Sequence, residues 1–135
     1  MAKCTKAKEL IITTEDKAGM LSEVASAIAA QKVNITAICA YAMEGKAVFT
    51  LVTTDNQKAK SVAQSKGWKA EDSEVVIVEL PDKVGAVKEI SQKLKEKNIS
   101  LKYCYGTTCT QCAPECTCRL VLKADNNDAI ISALK

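Results

Sequence analysis

The sequence predicts an α+β chain of two ferredoxin-like βαββαβ repeats, the second one lacking its last strand, with sheets side by side and helices on one face. Three observations carry this. The chain repeats itself in order: LIITTEDKAGML at 10–21 returns as VIVELPDKVGAV at 76–87, and FTLVTTDNQKAKSVA at 49–63 returns as RLVLKADNNDAIISA at 119–133. Each copy passes from short β-branched runs to stretches of helical period and back. The 135 residues are 47% hydrophobic but only 4% aromatic, enough for a packed core made of Val, Ile, Leu and Ala.

Each element follows from its local pattern. Glu9–Thr13 and Val75–Leu80 are short, apolar and rich in β-branched residues, so they read as first strands. Beyond the glycine, Leu21, Val24, Ala25 and Ile28 recur at helical spacing, as do Val87, Ile90, Ser91 and Leu94. Each set lines one helix face that needs a sheet to cover it. KVNITAICAY (32–41) matches KNISLKYCY (97–105), with Asn34 on Asn98 and Tyr41 on Tyr105, and gives the second strands. A hairpin leads to third strands at Ala47–Thr53 and Thr117–Lys123. Asp55 and Asp125 are expected to N-cap the second helices. Ala59, Val62 and Ala63 form the apolar face of one, and Ala129, Ile130, Ala133 and Leu134 that of the other. Trp68–Glu71 closes the first repeat, while the second stops at Lys135 straight after its helix. An N-terminal segment or another chain is left to fill that edge. The repeats divide the chain at 1–72 and 73–135, with a cysteine-rich hairpin insertion at about 106–118.

Asp16-Lys17-Ala18-Gly19-Met20-Leu21 and Asp82-Lys83-Val84-Gly85-Ala86-Val87 follow the first strands, and Asn34-Ile35 and Asn98-Ile99 open the second ones. Doubled and in this frame, these motifs resemble the ACT domain, a small module that binds amino acids and regulates metabolic enzymes. The resemblance covers nearly the whole chain. It departs from the family where Pro commonly precedes the glycine, because Ala18 and Val84 stand there. The resemblance implies ligand contacts at all sixteen of these residues. Two such domains typically associate side by side about a two-fold axis. That association implies crossed sites, 16–21 with Asn98-Ile99 and 82–87 with Asn34-Ile35.

The motif has a physical rationale. Glycine at a sharp strand-to-helix turn lets backbone approach a ligand. The helix start beyond it offers N–H groups and partial positive charge to a carboxylate. Asp16 or Asp82 would take the amino group of the same zwitterion. Met20, Leu21, Ile35, Val87 and Ile99 suggest apolar walls for a small or branched side chain. The plainer readings are that Asp-x-x-Gly is a helix-entry turn and that Asn34 and Asn98 are helix C-caps.

Five of seven cysteines fall in YCYGTTCTQCAPECTC at 103–118, and there is no histidine. The second hairpin is six residues longer than the first when the tyrosines are aligned, and Cys109, Cys112, Cys116 and Cys118 lie in it or at its edge. Three readings stand: a thiolate site for zinc or iron, a dithiol switch, or an incidental cysteine-rich loop. Their spacing fits neither paired Cys-x-x-Cys zinc sites nor the common iron–sulfur runs. The loop is expected at the same end of its sheet as 82–87, one strand away. Cys4 and Cys39 read as small packing residues or free thiols.

Without histidine there is no Ser-His or Cys-His catalytic pair. A net charge of +3 with scattered lysines argues against a nucleic-acid partner. No apolar run reaches membrane length, and the N-terminus lacks the apolar centre of a signal peptide. The chain is therefore expected to be a cytoplasmic, homo-oligomeric, non-enzymatic protein requiring no cofactor. It would sense a free amino acid between its repeats and act on a partner enzyme or regulator. The alternative is a metal- or thiol-responsive protein working through the cysteine loop.

Overall fold

The computed structural model describes residues 2–107 and 117–135. The elements run β1 (Lys3–Glu15), α1 (Met20–Ala30), β2 (Ile35–Met43), β3 (Lys46–Thr53), α2 (Asn56–Ser65), β4 (Lys69–Pro81), α3 (Ala86–Glu96), β5 (Leu101–Thr107), β6 (Thr117–Ala124) and α4 (Asn127–Leu134). They form two compact units, Lys8–Ser73 and Met1–Ala7 with Glu74–Lys135.

In the first unit the strand order is β2-β3-β1-β4. Leu10 pairs with Leu51 and Ile12 with Phe49, so alternate residues of β1 and β3 reach one core. Met20, Val24 and Ile28 of α1 and Ala59 and Ala63 of α2 fill the same core, which places both helices on one face of this sheet. In the second unit the order is β5-β6-β4-β1. Val76, Val78 and Leu80 of β4 and Leu120 and Leu122 of β6 meet Ala86, Ile90 and Leu94 of α3 and Ile130 and Leu134 of α4. Burying each such Leu, Ile or Val contributes roughly 1.5–3 kcal/mol.

The edge that the second repeat leaves unfilled is taken by the start of β1. Residues 1–7 therefore belong with the second unit rather than with a 1–72 domain, and the division falls after Ser73. Likewise the expected strands at Trp68–Glu71 and Val75–Leu80 are not separate: Lys69–Glu71 and Val75–Leu80 both lie in β4, whose first residues close the first unit, and Trp68 precedes it. Each closing segment is matched in charge to its own second helix. Asp72 meets Lys60 of α2 at 3.0 Å, whereas Lys6 meets Asp128 of α4 at 2.7 Å. Exchanging the two segments would set Asp against Asp and Lys against Lys, a bias against mispairing.

The helical stripes begin one residue earlier than the periodicity suggests. Glycine serves as N-cap, so Met20 and Ala86 become the first helical residues and turn into the core. Leu21 and Val87, expected in those stripes, are 53% and 55% exposed. Asp55 caps α2 as expected, its side chain accepting from the Lys58 N–H. In the second unit Asn126 caps α4, accepting from the Ala129 N–H, while Asp125 instead pairs with Lys102.

The helix C-termini also correct the alignment of the halves. Lys32 and Asn98, 66 residues apart like Gly19 and Gly85, are the left-handed residues that end α1 and α3, at φ 60° and 55°. The Asn98 N–H donates to Lys95 O and the Ile99 N–H to Leu94 O, as Lys32 and Val33 do to Ala29 O and Ile28 O. Asn98 thus corresponds to Lys32, and Asn34 is the residue that immediately precedes β2. The caps of the second helices, Asp55 and Asn126, lie 71 residues apart. The second hairpin is therefore longer by five residues, and the tyrosine match that gave six was shifted by two.

Asn56 and Asn127 follow these caps and fasten each unit internally. The Asn127 Oδ1 accepts from the Ala124 N–H at 3.0 Å, and its Nδ2 donates to Glu74 O at 2.8 Å. Asn56 makes the same bonds with the Thr53 N–H and Lys8 O. Asn127 is buried, so Asn127→Ala would take from the Ala124 N–H its side-chain acceptor, while Glu74 O keeps the bond it accepts from Lys123 Nζ at 2.8 Å. We expect a loss of about 1–3 kcal/mol, read as a lower urea midpoint, with a smaller loss for the less buried Asn56→Ala.

Candidate functional site

The two repeated loops, Asp16–Gly19 and Asp82–Gly85, leave β1 and β4 and enter α1 and α3. Both glycines sit in the left-handed region, Gly19 at φ 89° and Gly85 at φ 88°, and neither helix has a side-chain cap. The Met20 N–H turns back to Lys17 O and the Glu23 N–H to Gly19 O; the Ala86 and Glu89 N–H groups repeat this with Lys83 O and Gly85 O. The N–H groups of Leu21, Ser22, Val87 and Lys88 fall within the first turns, where helical geometry supplies no partner from the helix itself. They face out at the positive end of the helix dipole.

The charges around each loop are ordered alike. Lys17 Nζ lies 3.3 Å from Glu15 Oε1 and 3.8 Å from Glu23 Oε2, and Lys83 Nζ lies 3.3 Å from Glu89 Oε1. The hydrogen bond to Glu15, then its charge and that of Glu23, holds the Lys17 ammonium above its ordinary value of 10.5. The folded value is the raised one, so this small contribution is complete at neutral pH and is lost only as pH rises past that value. Each lysine is thus tied to carboxylates, which leaves the backbone donors as the groups presented to an anion. Asp16, Lys17, Ala18 and Gly19 are exposed, as are Asp82, Lys83, Val84 and Gly85.

The structure brings together only part of the expected site. Met20 and Ala86 point into their cores; Leu21 and Val87 stand exposed beside the loops. Strand register places Glu15 next to Lys46 and Met43 next to Lys46 at one end of the first sheet, with Ile35 next to Thr53 at the other. Asn34 and Ile35 are therefore at the opposite end from the loop of their own unit. The second unit is built the same way, with Pro81 beside Thr117 and Leu101 beside Ala124. Asn34 is held by the Thr54 Oγ1, which accepts from its N–H, and Ile35 and Ile99 are partly buried against their respective cores.

Cys109, Cys112 and Cys116 lie outside the described residues. Cys118 is a buried core residue of β6, beside Leu80. Thr117 pairs directly with Pro81, so the base of this hairpin adjoins the second loop rather than standing one strand off; only Thr107 lies one strand further. Among the described residues no three or more metal-ligating side chains cluster. Cys4, Cys39 and Cys104 are free thiols. Burial against the second core pushes the Cys4 thiol up, opposed by the Lys93 charge, as suits a packing residue. No helix of the described residues is long and apolar enough to cross a membrane.

Comparison with known proteins agrees with this fold. Residues 8–65 match the model of the ACT domain family. No curated protein matches the chain. A solved protein from Bacteroides thetaiotaomicron has the same fold with a TM-score of 0.85 and 24% identity, covering 97% of this chain and 88% of that one. The aspartokinase alpha and beta subunits match at a TM-score of 0.63 and 15% identity, covering 97% and 93%. The regulatory subunit of aspartate kinase from Thermus thermophilus, in ligand-free form, matches at 0.64 and 14%, covering 98% and 93%.

A Cβ added at Gly19 or Gly85 would meet nothing within 4 Å, so substitution there tests backbone strain alone. Gly19→Ala and Gly85→Ala should each cost about 1–2 kcal/mol in urea unfolding, and the losses should add because the loops lie in separate units. The open glycine turn, the βαββα frame and the family match make residues 8–65 an ACT domain, and the second βαββα frame repeats that turn at Gly85.

Proposed function

We propose that the chain is a regulatory protein without catalytic activity, which binds a free amino acid at its Asp-Lys-x-Gly loops and modulates a partner enzyme or regulator. One observation carries the reading. Of the four helices among the described residues, two are capped by side chains, Asp55 and Asn126, and two open on a bare left-handed glycine. The two bare starts are the ones that follow the repeated loops. Their outward N–H groups suit an α-carboxylate, and Asp16 or Asp82 beside them suits an α-ammonium. Leu21 and Val87 offer apolar surface next to each loop, which favours a small or branched aliphatic side chain. Solved regulatory subunits of aspartate kinase share the fold, which supports a regulatory rather than catalytic role.

Thermal unfolding in the presence of each of the twenty amino acids tests this. A ligand at 100 times its dissociation constant adds about 2.7 kcal/mol, several degrees for a domain of this size. The expected outcome is a shift from one or two related amino acids, removed by Asp16→Ala or Asp82→Ala according to which loop binds. If no amino acid shifts the chain, with or without added zinc or iron, the likeness to ACT domains is one of fold only. The cysteine loop, through Cys109, Cys112, Cys116 and Cys118, would then be the functional element to pursue.

A further inference from the structure

The net charge of +3 is not shared between the two units. Lys8–Ser73 holds eight basic and eight acidic residues, whereas Met1–Ala7 with Glu74–Lys135 holds eleven and eight. The first unit is therefore neutral, and the second carries the whole excess. Four of its lysines gather on one element. Lys88, Lys93 and Lys95 of α3 and Lys97 at its C-cap are all exposed. Among the described residues none of these four ammonium groups forms an ion pair, whereas Lys83, in the loop before the helix, is held by Glu89.

The first repeat is a control for what the fold itself requires. α1 and α3 correspond at an offset of 66 residues, and Glu23 stands where Glu89 does. Lys88, Lys93, Lys95 and Lys97 fall on Ser22, Ala27, Ala29 and Gln31, none of them charged. A lysine near a helix C-terminus complements the helix dipole. Yet α1 has no basic residue in its last turn and is ended by a left-handed residue just as α3 is. Neither packing nor capping calls for these four lysines. Unpaired charges of one sign on one helix match a surface of the opposite sign.

The residues around them favour a protein over a nucleic acid. Nucleic-acid strands are gripped by basic residues interleaved with stacking aromatics, and α3 has no aromatic residue. Arginine forks suit phosphate, and the one arginine of the chain, Arg119, is engaged with Glu79. Glu89 and Glu96 stand among the lysines and would repel a continuous row of phosphates. A folded protein can place its carboxylates at the lysines and neutral groups at the glutamates. We propose that α3 of the second unit is an interaction surface for a partner protein that presents a carboxylate-rich face. This holds whether or not the glycine loops bind an amino acid.

The experiment uses the full chain and two fluorescent probes, a polyglutamate peptide and a single-stranded oligonucleotide. Binding is read by anisotropy at about 0.01 M salt, where charges are felt over about 30 Å. Circular dichroism establishes that each variant is folded. The first variant gives α3 the residues of α1: Lys88→Ser, Lys93→Ala, Lys95→Ala and Lys97→Gln. The second removes the same charge from the first unit, through Lys8→Gln, Lys46→Gln, Lys58→Gln and Lys66→Gln, all at exposed positions. The native chain is expected to bind polyglutamate more tightly than the oligonucleotide. The α3 variant should lose about tenfold or more in affinity for polyglutamate, and the first-unit variant should keep the native affinity within about twofold. A native chain that does not bind polyglutamate would overturn the proposal. So would equal losses in the two variants, which would make net charge alone responsible, or a preference for the oligonucleotide.

Discussion

A β-strand turns successive side chains to opposite faces, so β1 and β4, each 13 residues long, must each hold one register over their whole length. β1 gives Leu10 and Ile12 to the first core and Cys4 to the margin of the second, where Ala2 just before the strand joins it. β4 gives Ala70 to the first and Val76, Val78 and Leu80 to the second. A slip by one residue anywhere along either strand would turn these side chains away from both cores together. The asparagines after the helix caps hold against such a slip. Asn56 grips Lys8 O, and Asn127 grips Glu74 O, at the places where each long strand passes from one unit to the other.

The far ends of the same strands become the glycine loops. A left-handed residue is needed there to turn the chain sharply enough from strand into helix, and glycine is the residue for which that conformation costs nothing. It also brings no side chain to satisfy the helix start. The second helices solve the same problem with Asp55 and Asn126 and so leave less for a ligand to complete. Polar satisfaction is more complete at one pair of helix starts than at the other, and that difference sets the proposed site apart from the scaffold within a single repeat. The lysines of the loops, Lys17 and Lys83, are matched by Glu23 and Glu89 of the following turn, so they add little net charge of their own.

Much of this was legible in the residues. The paired Asp-Lys-x-Gly motifs, the β-branched runs and Asp55 each act locally, through backbone preference or a short side-chain bond, and local physics is what periodicity reports. Four features were not legible, two of them because they involve distant partners. That residues 3–7 pair with the second repeat depends on contacts with β4 and α4, far along the chain. Asn126 rather than Asp125 caps α4, and Asp125 pairs instead with Lys102 from the start of β5. Matching Asn98 to Asn34 rested on residue identity, whereas the backbone matches Asn98 to Lys32, because either side chain can end a helix in the left-handed conformation. Leu21 and Val87 satisfied the helical period, yet the glycine N-cap sets the phase of each helix and rotates them out of the stripe.

The placement of residues 1–7 makes the two repeats topologically unequal. The first is one unbroken passage of chain, inserted into the second after its seventh residue. During synthesis the opening strand segment of the second repeat must wait for all of the first repeat, and then for β4, before it has a partner. Three residues, Lys66, Gly67 and Trp68, separate α2 from the strand segment that closes the first unit. If Lys135 were joined to Met1, three residues, Lys135, Met1 and Ala2, would separate α4 from the segment that closes the second. A circular permutant opening at Lys8 would thus turn the interrupted repeat into a continuous one with a connection of matching length, and both units would then be read from the chain in the same order.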